Sequence, residues 1–340
     1  MTPNNPIPVL VLFGPTASGK TDILLNLFNI GKYGTQAEVI SADSMQVYRG
    51  MDIGTAKPSA EERALLPHHL IDIRSPAEQF NCGDFVRLAD EACLDIAGRG
   101  KLPVVSGGTG FYLKNFILGL TEAPPSDGEI RARLKQELRG KGAAALMEEL
   151  AACDPVSAGR IHINDEYRLL RALEVQRLCG RPLSSFQIPA TDSRPRYKFI
   201  IIGISRPREE LYRRINLRCD SMFRQGLSAE VQKLYEQGYT PHDPGLRAIG
   251  YREFFVEEET ATGSRPEGTP AAGETPQNSV GSGSWRLSKD LDGVQAQVAQ
   301  NSRRYAKRQL TFFASIPGVR WIEAGRSEAE TARLILKELN

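Results

Sequence analysis

Apolar residues first gather at Val9-Leu10-Val11-Leu12-Phe13, an unbroken run of strand length. With no polar residue alternating through it, the run predicts a strand covered on both faces. From Asp22 to Phe28 the spacing changes, and Leu24, Leu27 and Phe28 fall at i, i+3 and i+4 on one helical face. Glu38-Val39-Ile40-Ser41 and Lys101-Leu102-Pro103-Val104-Val105-Ser106 predict two more buried strands, with a helix between them marked by Leu88, Ala92 and Ile96. From about Leu120 the strand-like runs stop. Ile130, Leu134 and Leu138 recur every four residues, Leu146 and Leu150 repeat the interval, and Asn164-Asp165 can cap a helix that stops at Gly180. The sheet resumes at Tyr197 to Ile204, followed by a helix with Leu211, Ile215, Cys219 and Met222 on its core face. A helix through Val294 and Val298, a short strand at Val319 to Ile322 and a final helix close the chain. Between 257 and 284, Glu, Gly, Pro, Ser and Thr displace almost every aliphatic, which predicts a disordered surface loop.

The turn after the first strand reads Gly14-Pro15-Thr16-Ala17-Ser18-Gly19-Lys20-Thr21: glycine, four residues, then Gly-Lys-Thr. Gly14 and Gly19 let the backbone curl so that its amides point inward at the positive end of a helix. Lys20 adds a point charge, and the Thr21 hydroxyl can ligate Mg2+. Strand, glycine turn and helix in this order predict a cradle for a di- or triphosphate. The fold class that follows is α/β, a P-loop NTPase-like parallel sheet core with an inserted all-helical domain. The core would comprise 1–119 and 196–340, with the insertion at 120–195. The loop alone does not say whose phosphates it holds.

Asp43 should emerge beside this loop, because ligands of open parallel sheets gather at the carboxyl ends of strands. An acid there can hold a metal, act as a general base or cap the next turn. Gly107-Gly108-Thr109-Gly110 is a second glycine-rich strand end; it is either a steric turn or a substrate-facing one carrying Thr109. Arg214 and Arg218, at i and i+4, are placed to clamp the far side of a diphosphate. Arg168 and Arg171 share a helix face, either as solvated surface or as contacts to a phosphate backbone. In Arg247-Ala248-Ile249-Gly250-Tyr251-Arg252 an aromatic sits between arginines, a pattern that can stack on single-stranded nucleic acid.

Composition narrows the classes only modestly. The formal net charge of +2 announces no nucleic-acid partner by itself, so any basic surface must be local. The five cysteines are odd in number and form no C-x-x-C pair, as expected of reduced thiols. His68 and His69 are adjacent and read as structural. No apolar run approaches the roughly 20 residues of a membrane span, and the first apolar run ends at Gly14, as a strand and not a signal peptide. A cytoplasmic protein is expected.

The residues from Gly14 to Thr21, Ser41-Ala42-Asp43-Ser44-Met45-Gln46-Val47-Tyr48 and Met51-Asp52-Ile53-Gly54-Thr55-Ala56-Lys57-Pro58 resemble the tRNA dimethylallyltransferases. The Gly107 to Gly110 turn, the stretch Ile161 to Glu174, Ala248-Ile249-Gly250-Tyr251 and Arg304 to Gln309 extend the resemblance across nearly the whole chain, in family order. It implies transfer of a dimethylallyl group from its diphosphate to N6 of adenosine 37, beside the anticodon of tRNAs that read codons beginning with U. It also implies that the loop, with Mg2+, holds the prenyl diphosphate and not ATP. On this resemblance Gly14 to Thr21, with Arg214 and Arg218, bind the diphosphate, and Thr21 meets the metal. Asp43 takes the amine proton, with Thr109 as a second catalytic residue. Asp43, Ser44, Met45, Gln46, Thr109, Arg131, Tyr167, Arg168, Leu169, Leu170, Arg171, Arg247, Gly250, Tyr251 and Arg252 contact tRNA. The inserted helical domain grips the anticodon stem-loop, and the enzyme acts as a monomer.

The tract at 257–284 departs from the family pattern, falling after the substrate-contacting residues as a surface insertion. Two other readings use the same loop: an ATP-dependent small-molecule kinase, and a non-catalytic RNA-binding regulator switched by nucleotide. The kinase leaves the helical insertion and the Arg-Tyr-Arg segment without a task.

Overall fold

A computed structural model describes residues 6–28, 36–186, 197–258 and 284–339; the tract expected to be disordered lies almost entirely outside them. In chain order the first elements are β1 (Ile7–Phe13), α1 (Lys20–Phe28), β2 (Ala37–Ser41), α2 (Ala60–Leu65), β3 (His68–His69), α3 (Cys82–Gly98), β4 (Leu102–Gly107) and α4 (Gly110–Leu118). Three helices follow, α5 (Gly128–Cys153), α6 (Pro155–Ala158) and α7 (Glu166–Cys179). Then come β5 (Tyr197–Ser205), α8 (Arg208–Arg224), α9 (Leu227–Glu236), β6 (Phe255–Glu257), β7 (Trp285–Leu287), α10 (Leu291–Phe313), β8 (Arg320–Glu323) and α11 (Glu328–Leu339). The chain divides into an α/β unit, 7–113 with 197–340, and a helical unit made mainly of 114–196.

The sheet of the α/β unit runs β3-β2-β4-β1-β5-β8, every pair parallel. Its side chains alternate between faces. Leu10, Leu12, Val39 and Val104 pack with Ile23 and Leu27 of α1 and Ala332 and Ile335 of α11 in one buried cluster. Phe13 lies against Phe313 of α10 with ring centroids 4.8 Å apart. The continuous apolar run of β1 is thus covered twice, as its lack of alternation predicts. Its register sets Phe13 beside Gly107 of β4 and Gly203 of β5, so the carboxyl ends of these strands share one edge. β6 and β7 form an antiparallel pair, Phe255 opposite Leu287, so strands flank the tract expected to be loop and take in its first residue, Glu257. Among the described residues no helix is long and apolar enough to cross a membrane.

The helical unit buries Leu134, Leu146, Leu150, Leu169, Leu170, Ala172 and Leu173. Asp165 caps α7 and Gly180 ends it in the left-handed conformation. On the buried face of α7 the fully buried carboxylate of Glu174 accepts from Ser126 Oγ at 2.6 Å, the Asp127 amide at 2.7 Å, Arg131 at 3.0 Å and Arg171 at 3.1 Å. Burial alone would raise its pKa, but these donors outweigh burial and hold it below the ordinary value. A buried charge persists only when paired and hydrogen-bonded in this way.

Candidate active site

Four strands deliver chemistry to one edge of the sheet. β1 leads into the glycine loop, β2 into Asp43, β4 into Thr109 and β5 into Arg206. Gly19 takes a φ of +86°, the left-handed turn that starts α1, and Ala17 is held at +62° beside it. Lys20 folds back on the loop, Nζ donating to the carbonyls of Gly14 at 2.9 Å and Pro15 at 3.0 Å. Loss of solvent pushes its pKa down from 10.5 to about 8; Arg218 pushes the same way and Asp43 opposes.

Three arginines hold the loop from outside. Arg206 Nε donates to the Ser18 carbonyl at 3.0 Å, and Arg214 Nε to the Ala17 carbonyl at 2.8 Å. Both also reach Glu328 at the start of α11, Arg214 at 2.8 Å and Arg206 at 3.2 Å. Arg218 is different: Nη1 donates to Thr16 Oγ1 at 3.0 Å, and no carboxylate pairs with it among the described residues. Burial acts against its charge, with Asp43 the first of the groups that favour it. A guanidinium kept in that condition is suited to an anion that arrives later.

Asp43 Oδ1 accepts the Met45 amide at 2.9 Å, so the acid does cap its own turn. Its Oδ2 has no hydrogen-bond partner among the described residues, which leaves one oxygen for chemistry. Thr109 Oγ1 accepts the Ser44 amide at 3.0 Å, and the Thr109 amide donates to Ala42 O at 3.1 Å, tying the ends of β2 and β4 together.

Two cavities open here, both within the α/β unit. One of about 430 Å3 is lined by Thr16, Gly19, Lys20, Thr21, Arg214 and Gln309, among others. A second of about 270 Å3 is lined by Met45, Met222, Arg247, Ile249, Arg252 and Arg308, among others. Thr16, Asp43, Thr55, Arg218 and Tyr305 line both. Ser44 belongs to the second cavity and Gln46 to the first.

Four residues expected to contact RNA, Tyr251, Gly250, Leu169 and Leu170, are buried within the protein. Tyr251 offers no stacking face: its side chain is wholly buried, and its hydroxyl donates to Glu230 Oε1 at 2.6 Å. Glu230 also accepts the amides of Asp52, Ile53 and Gly54, so Tyr251 secures the wall of the second cavity from behind. Gly250, with φ of +97°, is the buried turn beside it. Leu169 and Leu170 point into the core of the helical unit. Tyr167 and Arg168 remain outside, and Arg131 lies over the Tyr167 ring at 4.5 Å while also serving Glu174. Arg171 is committed to Glu174 and to the Pro124 carbonyl.

Sequence reading assigned no task to Gln309, Tyr305, Glu230 or Glu328. The first two carry an available signal, one helical turn apart on a face that continues Val294, Val298 and Ser302. Glu230 and Glu328 meet their partners only through the fold.

The sequence profile of the IPP transferase family matches residues 46–316. A tRNA dimethylallyltransferase of Geobacter sulfurreducens is 42% identical over 315 residues, covering 93% of this chain and 91% of that protein. Among solved structures, the full-length tRNA isopentenylpyrophosphate transferase of Bacillus halodurans matches with a TM-score of 0.62 at 35% identity, over 98% of this chain and 96% of that one. A eukaryotic dimethylallyltransferase acting on tRNA matches with a TM-score of 0.74 at 24% identity, over 98% of this chain and 79% of that one, a likeness of fold alone.

Proposed function

This chain belongs to the IPP transferase family, and from that premise we propose how its two cavities divide the labour of prenylating a tRNA. The first holds dimethylallyl diphosphate; the second admits an adenine turned out of the anticodon loop. The observation that carries this division is that Asp43 and Arg218 line both cavities, so an acid and a cation stand where the two substrates would meet.

The chemistry needs each group. Displacement at the allylic carbon forms the N6–C bond as the C–O bond breaks; positive character builds on the prenyl group in the transition state, negative charge departs with the diphosphate, and N6 then gives up a proton. Loop amides, Lys20, Arg214 and Arg218 stabilise that negative charge where it develops. The adenine amine is a weak nucleophile because its lone pair is delocalised into the ring, and Oδ2 of Asp43 accepts its proton. Thr109 holds the Asp43 turn in place through the Ser44 amide.

Hard oxygen donors suit Mg2+, and Thr21 lines the first cavity with Asp43. Among the described residues no three His, Cys, Asp or Glu side chains could hold a metal by themselves. Thr21 would therefore hold the ion together with diphosphate oxygens and water, the pattern Mg2+ prefers, and it would neutralise charge on the leaving group.

The helical unit grips the anticodon stem-loop through exposed Tyr167 and Arg168, while Met45, Arg247 and Arg252 meet RNA at the second cavity. Adenosine 37 of tRNAs reading codons that begin with U is the target. The enzyme works as a monomer, and its five free cysteines and RNA substrate favour the cytoplasm. Labelled dimethylallyl diphosphate, Mg2+ and tRNA, without ATP, test the reading: label should appear in RNA. Phosphate transfer from ATP with unlabelled RNA would hand the site to a kinase.

A further inference from the structure

The first residue of the glycine loop's inner arm already has a partner. The Thr16 amide donates to Oε1 of Gln309 at 2.9 Å. Nε2 of the same side chain donates to the Gly108 carbonyl at 2.7 Å, a fully buried hydrogen bond. Gln309 is 5% exposed, and its amide satisfies one group on each side of the first cavity. The fit is close: a Cβ on Gly108 would lie 2.5 Å from Nε2, so a side chain there would push the Gln309 amide aside. Thr16 in turn presents its hydroxyl to Arg218.

We propose that Gln309 is a positioning residue for the diphosphate site, acting through Thr16 to hold Arg218 and through Gly108 to fix the opposite wall. The inference rests on the reading of the first cavity as the diphosphate site, and it revises one detail of that reading. The Thr16 amide is spent on Gln309 and the Ser18 amide on the Pro15 carbonyl at 3.2 Å, so the loop offers the diphosphate the Ala17 amide and those from Gly19 onward. It also makes α10, whose outer face carries Arg304, Lys307 and Arg308, a structural part of the phosphate cradle. Glutamine serves because one planar group both accepts and donates; carboxylate would oppose the Gly108 carbonyl, and a thioether would fill the volume with neither bond.

Pyrophosphate binding with Mg2+, measured by calorimetry on the full chain, tests this with Gln309→Met and Gln309→Ala. Both should bind pyrophosphate more weakly, on the order of tenfold, as expected for one lost buried hydrogen-bonding group. Affinity for tRNA should stay unchanged. Gly108→Ala displaces the same amide without altering Gln309, and its effect should not add to that of Gln309→Met. Wild-type pyrophosphate affinity in Gln309→Met, or full additivity with Gly108→Ala, would overturn the proposal while leaving the cavity assignment standing. If the wild-type chain itself ignores pyrophosphate, the assignment falls and the proposal with it.

Discussion

Thr109 Oγ1 accepts the amide of Ser44 at 3.0 Å, a bond between residues 65 apart in sequence that pins the turn carrying Asp43. The same hydroxyl lies 3.3 Å from Ser44 Oγ. Losing it leaves a part-buried amide without its acceptor, costing about 1–3 kcal/mol if nothing replaces it. Thr109→Val keeps the shape and removes the acceptor. We expect kcat to fall by roughly tenfold, since about 1.4 kcal/mol is a factor of ten, with KM for dimethylallyl diphosphate held. Thr109→Ser should restore the rate. Steady-state kinetics decide it, and a rise in KM alone would place Thr109 at the diphosphate instead.

Asp43 combines a turn cap and a proposed base, and the two roles separate by substitution. In Asp43→Asn the side-chain amide oxygen would still accept the Met45 N–H, so the loop and tRNA affinity should stay intact. Turnover should drop by about 10²–10⁴, the usual contribution of a general base. Single-turnover rates and filter-binding with tRNA check the pair of expectations. Loss of tRNA binding at normal chemistry would make Asp43 a structural residue.

Lys20 sets a pH limit on the site. Its folded pKa, about 8, lies below the ordinary 10.5, because burial and Arg218 disfavour the charge. Between these values the unfolded chain carries the proton and the folded one does not, so this group makes stability rise with pH across that window. Binding has the opposite sign. Diphosphate favours the charged lysine, so the free enzyme must take up a proton above about pH 8, and affinity should fall there. KM for dimethylallyl diphosphate should climb above about pH 8 in the wild type. Lys20→Arg, which stays charged, should flatten the climb, and a parallel climb in that variant would assign it to another group.

Much of this site is written in short stretches that sequence reading finds. The loop from Gly14 to Thr21 joins strand to helix, and Leu211, Ile215, Cys219 and Met222 are all buried as their spacing implies. Those signals are local, since a repeat of three to four residues or a glycine pattern is fixed within one turn. Tyr251 shows where locality fails. Flanking arginines suggest exposure, yet Glu230, 21 positions earlier, supplies the acceptor that draws the ring inward. α9 carries a legible stripe, Leu227, Val231 and Leu234, that pattern reading passed over. β3 has only two residues, too short for any periodicity, and is found through its pairing with Val39 and Ile40. Gln309 is visible in a basic stretch, but its partners Thr16 and Gly108 lie 293 and 201 residues away.

The helical unit separates surface from core within four consecutive residues of α7. Tyr167 is 71% exposed, and the Arg168 side chain is 69% exposed. Leu169 is fully buried and Leu170 is 4% exposed. Arg168 pairs with Asp165 at 3.1 Å, an exposed contact that water and salt screen, so its charge remains available to a phosphate. Each phosphate neutralised releases counterion, and the slope of log K against log salt records how many are engaged. Arg168→Ala should reduce the magnitude of that slope by about 0.7–0.9 for tRNA and leave the melting temperature nearly unchanged. Leu169→Ala should do the reverse: destabilisation of about 2–5 kcal/mol from the cavity it opens, and an unaltered slope in folded protein. Fluorescence titrations from about 50 to 200 mM salt, run beside thermal melts, distinguish the two residues. An unaltered slope in Arg168→Ala would remove this face of α7 from the RNA interface.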